Sequence, residues 1–236
     1  MPKNTKPIRK VYVFILEGVS DENAIAGLLK KLYRNRTIYS VIMYGDVTSD
    51  LKMDVSKILS AIAEKVRAKL NEEKIKKSDV LRVFQICDMD GAYVPDTAIV
   101  KGEEKKFVYS PTFIAVPDVD FAIKRNSHKR EAINMLLSTQ TVLGIPYKLY
   151  FMSSNLEHVL FDIQNLDDSL KTGKADEFFE TFRDCPEKLI SFLESVSFGV
   201  PKSYSDSWNY IKQELHSLER HNNLFVCFND FPTYAQ

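Results

Sequence analysis

The feature that most constrains this chain is a short apolar run that stops in acid. Residues 11–16, VYVFIL, are apolar without alternation, and the next residue is Glu17. Such a run suits a strand covered on both faces, as in the middle of a parallel sheet. A second run, residues 80–87 (VLRVFQIC), behaves the same way and stops in Asp88, Met89, Asp90 and Gly91. Between the two the period changes. Ala24, Ile25, Leu28, Leu29 and Leu32 recur at helical spacing, with Ser20 or Asp21 placed to cap the helix. Val55, Ile58, Leu59, Ile62, Ala63, Val66 and Leu70 mark a longer amphipathic helix with charged residues on its outer face. Strands alternating with helices predict an α/β fold with a mostly parallel sheet flanked by helices.

The rest of the chain extends this pattern and then leaves it. Residues 37–44 read as a strand between the two helices. From 92 to about 130 the chain mixes prolines, charge and short β-rich pieces (KKFVYS, TFIAV), which predicts an insertion after the acidic strand end. A helix is expected to resume over about 130–143, followed by a strand at 145–152 (IPYKLYFM) and a helix in SSNLEHVLFDI. Beyond that, FFETF, KLISFLESV and SWNYIKQELHSLERH read as helices, and LFVCF as a final strand. The expected division is a catalytic domain over 1–165 and a helical C-terminal extension over 166–236 packed on it. Trp208 and the Phe- and Tyr-rich helices of the extension read as core or as an interface with a partner.

Composition excludes some classes and weakens others. No apolar run in the 236 residues is long enough to cross a bilayer, and Glu17 interrupts the stretch that a signal peptide would need, so a cytoplasmic location is expected. Cys87, Cys185 and Cys227 are odd in number and far apart, which predicts reduced thiols rather than disulfides or a zinc site. The four histidines show no metal-ligand spacing, and only His158 lies near an acidic motif. A formal net charge of zero is unusual for a nucleic-acid binder, which leaves a basic footprint. Local patches exist nonetheless: Lys124, Arg125, His128, Lys129 and Arg130 form one, and Lys3, Lys6, Arg9 and Lys10, read as a solvated tail, form another.

The acidic strand ends carry the chemistry. Clustered Asp and Glu without His or Cys favour Mg²⁺ or Mn²⁺ over zinc. In an extended DMD triplet, Asp88 and Asp90 point one way and Met89 turns back into the core. Glu17 after six apolar residues is costly unless paired or coordinated. Each residue also has a structural reading: Asp21 as a helix cap, Asp88 or Asp90 as the start of a turn. Open α/β sheets place their sites at the carboxyl ends of the strands, so two such ends side by side would bring four carboxylates together.

An apolar strand, E-G-x-x-D and a helix, then a later apolar strand and D-x-D-G, resembles the Toprim domain shared by topoisomerases, primases, maturation nucleases and OLD-family nucleases. Here these elements are Glu17, Gly18 and Asp21, then Asp88, Asp90 and Gly91. The chain is most similar to the RloB-like and OLD-type members, in which an SNPxFE-type motif opens a later helix. The matching stretch is YFMSSNLEHVLF, where Asn155 and Glu157 align but Leu156 replaces the aromatic residue and the proline is missing. Ser154 and Glu157 also satisfy S-x-x-E, a capping box, so Glu157 is read both ways. The resemblance implies a Toprim-like (Rossmann-like) fold over the first two thirds of the chain. It also implies a Mg²⁺-dependent nuclease: Glu17, Asp88 and Asp90 as metal ligands, Glu17 also as general base, and Asp21 and Glu157 as further catalytic carboxylates. Lys124, Arg125, Lys129, Arg130 and Asn155 are then candidates for contacts to a nucleic-acid substrate, DNA or RNA (tRNA included). A role in anti-phage defence of the abortive-infection kind, alongside an ABC-type ATPase partner, follows from the same likeness, and self-association stays open.

Two rivals stand beside this reading. DMDG also resembles the nucleophile motif of haloacid-dehalogenase-like phosphatases, with Asp88 attacking and Asp90 as general acid. That motif's Thr is replaced by Ala92, and EGVSD is left without a role. The second rival is an inactive Toprim-like module that binds nucleic acid or a partner.

Overall fold

The computed structural model describes residues 11–33 and 37–230, so the N-terminal basic cluster lies outside the described residues. Strand β1 (Val11–Leu16) leads through Glu17 and Gly18 into a helical stretch made of α1 (Val19–Asp21), a π-helical turn (Glu22–Ala26) and α2 (Gly27–Leu32). Strand β2 (Thr37–Ile42), helix α3 (Val55–Glu72) and strand β3 (Val80–Asp88) follow. Every residue of β1 is buried, as its unbroken apolar run requires of a strand covered on both faces. Helix α3 turns Ile58, Ile62, Val66 and Leu70 inward at i, i+4 spacing. Its first turn is capped by Asp54, which accepts the Ser56 N–H at 2.8 Å.

The insertion contains β4 (Ile99–Lys101), β5 (Val108–Tyr109) and β6 (Ile114–Val116), which form a separate small sheet. Val94, Ile99, Ile114, Val116, Ala122 and Leu218 give it a core of its own. Helix α4 (Val119–Ser138) begins well before the expected position near residue 130. Two of its inward positions are the polar Asn126 and Lys129, which hide the apolar period from a sequence reading. The cationic cluster therefore lies on a helix and not in a loop.

An edge hairpin pairs β7 (Thr141–Val142) with β8 (Ile145–Met152). The main sheet has the order β2-β1-β3-β8-β7, with the first four strands parallel and only β7 antiparallel. The chain moves from β1 to one side for β2, then crosses back past β1 for β3. That reversal opens a crevice at the carboxyl ends of β1 and β3, where ligands bind in sheets of this kind.

Five helices complete the described chain: α5 (Leu156–Phe161), α6 (Asp168–Phe182), α7 (Lys188–Ser195), α8 (Tyr204–Ile211) and α9 (Leu224–Cys227). They are continuous with the core of the sheet rather than a layer outside it. Leu189, Leu193, Trp208, Ile211 and Leu224 belong to the same buried cluster as β1, β3 and β8. Trp208 meets Phe151 edge-on at 4.9 Å, and the Asn223 side chain accepts the Phe151 N–H at 2.8 Å. Each fully buried large apolar side chain contributes roughly 1.5–3 kcal/mol, so this shared core is a strong tie. Helix α6 crosses the first helical stretch so closely that a Cβ on Gly27 would stand 2.6 Å from the Phe179 ring. The LFVCF segment, expected as a strand, is helix α9. A short apolar run is compatible with a buried helix as well as with a strand, and here no open sheet edge receives it. Cys87, Cys185 and Cys227 form no disulfide, and no helix among the described residues is long and apolar enough to cross a membrane.

Candidate functional site

The carboxyl ends of β1 and β3 meet as the sheet order requires. Glu17 accepts the backbone N–H of Asp88 on its Oε1 at 3.2 Å, across 71 residues of sequence. The backbone carbonyl of Glu17 accepts the N–H of Gly45 at 3.2 Å, which ties the exit of β2 to the same edge. Three strands leave the sheet through left-handed residues: Tyr44 and Gly45 after β2, Asp90 and Gly91 after β3, and Ser154 after β8. The DMD triplet is therefore not extended. Met89 is buried as expected, but Asp90 has φ +45° and its N–H donates to the carbonyl of Ser154 at 2.7 Å. Gly91 is needed twice over. Its φ is +69°, and a Cβ there would fall 2.2 Å from Cδ1 of Ile114.

The cationic residues divide into those that hold this edge and those that do not. Lys129 is fully buried, with Nζ 2.6 Å from Oδ2 of Asp46 and 2.5 Å from Oδ2 of Asp90. Arg125, one turn earlier on α4, donates to the carbonyl of Asp90 at 2.8 Å and lies over the Phe107 ring. Neither is a free substrate contact, because both already grip the β3 exit. Lys124 is exposed and Arg130 half-buried. Glu157 sits in the first turn of α5, buried and paired with Lys171 of α6 at 3.1 Å. The S-x-x-E capping box is not formed. Asn155 is the cap, accepting the His158 N–H at 2.8 Å while its amide donates to the carbonyl of Gln164 at 3.1 Å. Asn155 is thereby committed to the turn at both ends of its amide, although it lines the pocket. Asp21 caps its own helix, accepting the Gly18 N–H at 3.0 Å.

Six carboxylates thus interact at one end of the sheet: Glu17, Asp21, Asp46, Asp88, Asp90 and Glu157. Burial raises the pKa of Glu17 well above the ordinary value, and the charges of Asp46, Asp90 and Asp21 add to it against the relief from Lys129. Asp88 is raised well above its ordinary value for the same reasons: burial, then Glu17, Asp90, Asp21 and Glu157. Asp21 is pushed up to about 6 by burial and Glu157, opposed by the Gly18 hydrogen bond and Lys171. Asp46 behaves oppositely. Burial would raise it, but the charge and hydrogen bond of Lys129, with help from Ser49 and Thr48, hold it well below the usual range. Burial and Arg220 lower His158 to about 4, so it is neutral at pH 7.

A pocket of about 250 Å³ opens onto this edge, lined among others by Asp88, Asp90, Glu157, Lys106, Tyr109 and Lys171. The insertion forms its wall. Tyr109 of β5 donates its N–H to the Asn165 side chain at 2.8 Å and accepts back from it at 2.7 Å, and its hydroxyl faces Asp90 at 3.4 Å. Among the described residues, no group of three or more His, Cys, Asp or Glu side chains stands spaced to hold a metal ion. Lys129 is interposed between Asp46 and Asp90, and Lys171 covers Glu157. The donor set still suits Mg²⁺ or Mn²⁺ in kind. Glu17 and Asp88 are hard oxygen donors held in mutual repulsion.

Sequence reasoning missed three residues here. Asp46 had only a weak signal: unlike Glu17, which directly follows β1, it lies four residues beyond the end of β2, past the left-handed Tyr44 and Gly45. Tyr109 and Lys171 reach the site only through tertiary packing, and nothing local in KKFVYS or in α6 marks them. Compared with known proteins, the chain matches no family model, no curated protein and no solved structure.

Proposed function

We propose that this edge is the catalytic site of a Toprim-type, divalent-metal-dependent nuclease that hydrolyses phosphodiester bonds in DNA or RNA. The observation that carries the proposal is the meeting of Glu17 with Asp88 at the reversal of strand order, both biased toward their neutral forms by burial and by neighbouring carboxylates. Carboxylates in that condition are stabilised by a cation, and all-oxygen donors are those that Mg²⁺ and Mn²⁺ take. Glu17 and Asp88 would hold the ion, with Asp21 behind them; Asp90 is engaged by Lys129. An ion held there lowers the pKa of a bound water and offsets charge on a phosphoryl oxygen.

The chain's own residues supply the remaining steps. Glu17 is the carboxylate assigned to accept the proton of the attacking water. The water oxygen bonds to phosphorus while the bond from phosphorus to the departing sugar oxygen breaks. Lys106 at the pocket rim meets the backbone phosphates, and exposed Lys124 extends that contact along α4. The resemblance to RloB-like and OLD-type proteins carries the proposal further, to a cytoplasmic effector of anti-phage abortive infection working with an ABC-type ATPase.

The test compares wild type, Glu17→Gln and Asp88→Asn on tRNA, single- and double-stranded DNA and a phosphomonoester, with Mg²⁺ or with EDTA. Metal-dependent strand cleavage lost in both variants is the expected result. Monoester turnover through a phosphorylated Asp88 would replace this reading with the phosphatase. Nucleic-acid binding without cleavage, with and without a partner ATPase, would replace it with the inactive module.

A further inference from the structure

We propose that Lys212, Asn134 and Arg130 form a phosphate-binding site outside the acidic pocket, which grips the backbone of the nucleic-acid substrate. The inference rests on the nuclease reading for the class of ligand, while the site itself is read from its own donors. Lys212, at the end of α8, is half-buried, and its ammonium lies over two rings, 5.3 Å from the centroid of Tyr93 and 5.9 Å from that of Trp208. Its Nζ donates to Oδ1 of Asn134 on α4 at 3.1 Å. Burial lowers the pKa of Lys212, and no neighbouring carboxylate opposes the shift. Rings and an amide hold this cation in place without neutralising it.

Asn134 is oriented by the same neighbours. An ammonium can only donate, so the amide atom that meets Lys212 is the oxygen. The Tyr93 hydroxyl donates to that oxygen at 2.7 Å, so both of its lone pairs are taken. The NH₂ of Asn134 is left without an acceptor among the described residues, on an exposed part of α4. Arg130 stands one turn earlier on the same helix face and has no carboxylate partner among the described residues. Burial, then Cys87, raise the Tyr93 phenol, and the charge of Arg130 opposes them, which puts the guanidinium near the same ring. An ammonium, an amide and a guanidinium are thus gathered about Tyr93 with donors to spare. A phosphate oxygen is the acceptor such donors take. Arg125 and Lys129 on the same helix differ, since Asp90 already engages both. None of the three proposed residues lines the pocket, yet Arg130 directly follows Lys129 and so adjoins the acidic edge. A strand entering the pocket would pass from Lys106 at its rim to a second hold here.

The test measures binding of fluorescein-labelled single-stranded and duplex oligonucleotides by anisotropy, in EDTA, over a series of salt concentrations. Wild type is compared with Lys212→Gln, Lys212→Arg, Arg130→Gln and Lys202→Gln. The last removes an exposed lysine paired with Glu194 and controls for the lost charge. Lys212→Gln and Arg130→Gln should each weaken binding several-fold and flatten the dependence of log K on log salt by about 0.7–0.9 per phosphate contact. Lys212→Arg should bind as wild type does, and so should Lys202→Gln. An unchanged slope in folded Lys212→Gln overturns the inference, as does an equal fall in Lys202→Gln; if Lys212→Gln does not fold, the slope of Arg130→Gln decides in the same way. Metal-dependent cleavage by wild type with an unchanged Lys212→Gln slope removes this site and leaves the nuclease reading standing. Lys212-dependent binding without cleavage in Mg²⁺ does the reverse. Wild type that binds neither oligonucleotide removes both.

Discussion

Replacing Asp21 by Asn should stabilise the metal-free protein, by an amount set by pH. In the folded chain the Asp21 carboxyl is pushed from 3.8 to about 6, first by burial and then by Glu157. A carboxyl raised by folding is held in its protonated form longer than in the unfolded chain. As pH rises from about 3.8 to about 6, the unfolded chain therefore releases this proton first, and stability falls through that window. Above it the loss is constant, and below it there is none. A shift of about two units corresponds to roughly 3 kcal/mol. Asp21 is only partly enclosed, so water at its edge reduces the expected effect to about 1–2 kcal/mol. Asn can still accept the Gly18 N–H, so the helix start is retained. Urea unfolding in EDTA at several pH values between about 4 and 8 reads the difference. The gain of Asp21→Asn should be near zero at the acid end, grow to about pH 6 and then level off. A gain independent of pH, or a loss at pH 8, would refute the reasoning that unmet negative charge destabilises this edge.

Other changes have equally definite outcomes. Lys129→Met leaves Asp46 and Asp90 without their buried partner and should cost about 3–5 kcal/mol in urea unfolding without metal, part of it recovered by Mn²⁺; a cost below about 1 kcal/mol would mean the pair is not what holds the β3 exit. Gly91→Ala must accept φ +69° and displace Ile114, at roughly 1–3 kcal/mol, and Ile114→Ala in the same chain should recover part of the loss; a neutral Gly91→Ala would deny the close approach. Asn155→Ala removes the α5 cap and should lower stability by about 1 kcal/mol while leaving the Mn²⁺ count unchanged; an altered count would make Asn155 part of the metal site.

What the sequence made legible was whatever its periods encode. The unbroken run before Glu17 required a strand buried on both faces, and β1 is that strand, in the interior of a mostly parallel sheet between β2 and β3. The alternation of strand and helix up to Asp88 is present with small changes at the boundaries. The start of α4 was lost because Asn126 and Lys129 point inward, where an apolar residue is expected. They do so because they bind the β3 exit, a long-range duty that no local pattern reports. LFVCF failed for a different reason: four or five apolar residues carry no period. At the site, the convergence of Glu17 and Asp88 followed from strand ends alone, whereas Asp46, Tyr109 and Lys171 depend on which elements become neighbours. The sign of the cationic cluster was legible, but its direction was not. Lys129 and Arg125 face the acids they neutralise, and Lys124 faces solvent.

The most direct measurement is anomalous scattering from crystals grown with Mn²⁺. The expected result is an anomalous peak between the carboxylates of Glu17 and Asp88 in wild type that is absent in Glu17→Gln, with Lys129 still paired to Asp46 and Asp90. Wild-type crystals with no peak at that edge, or with Mn²⁺ bound elsewhere on the chain, would contradict it.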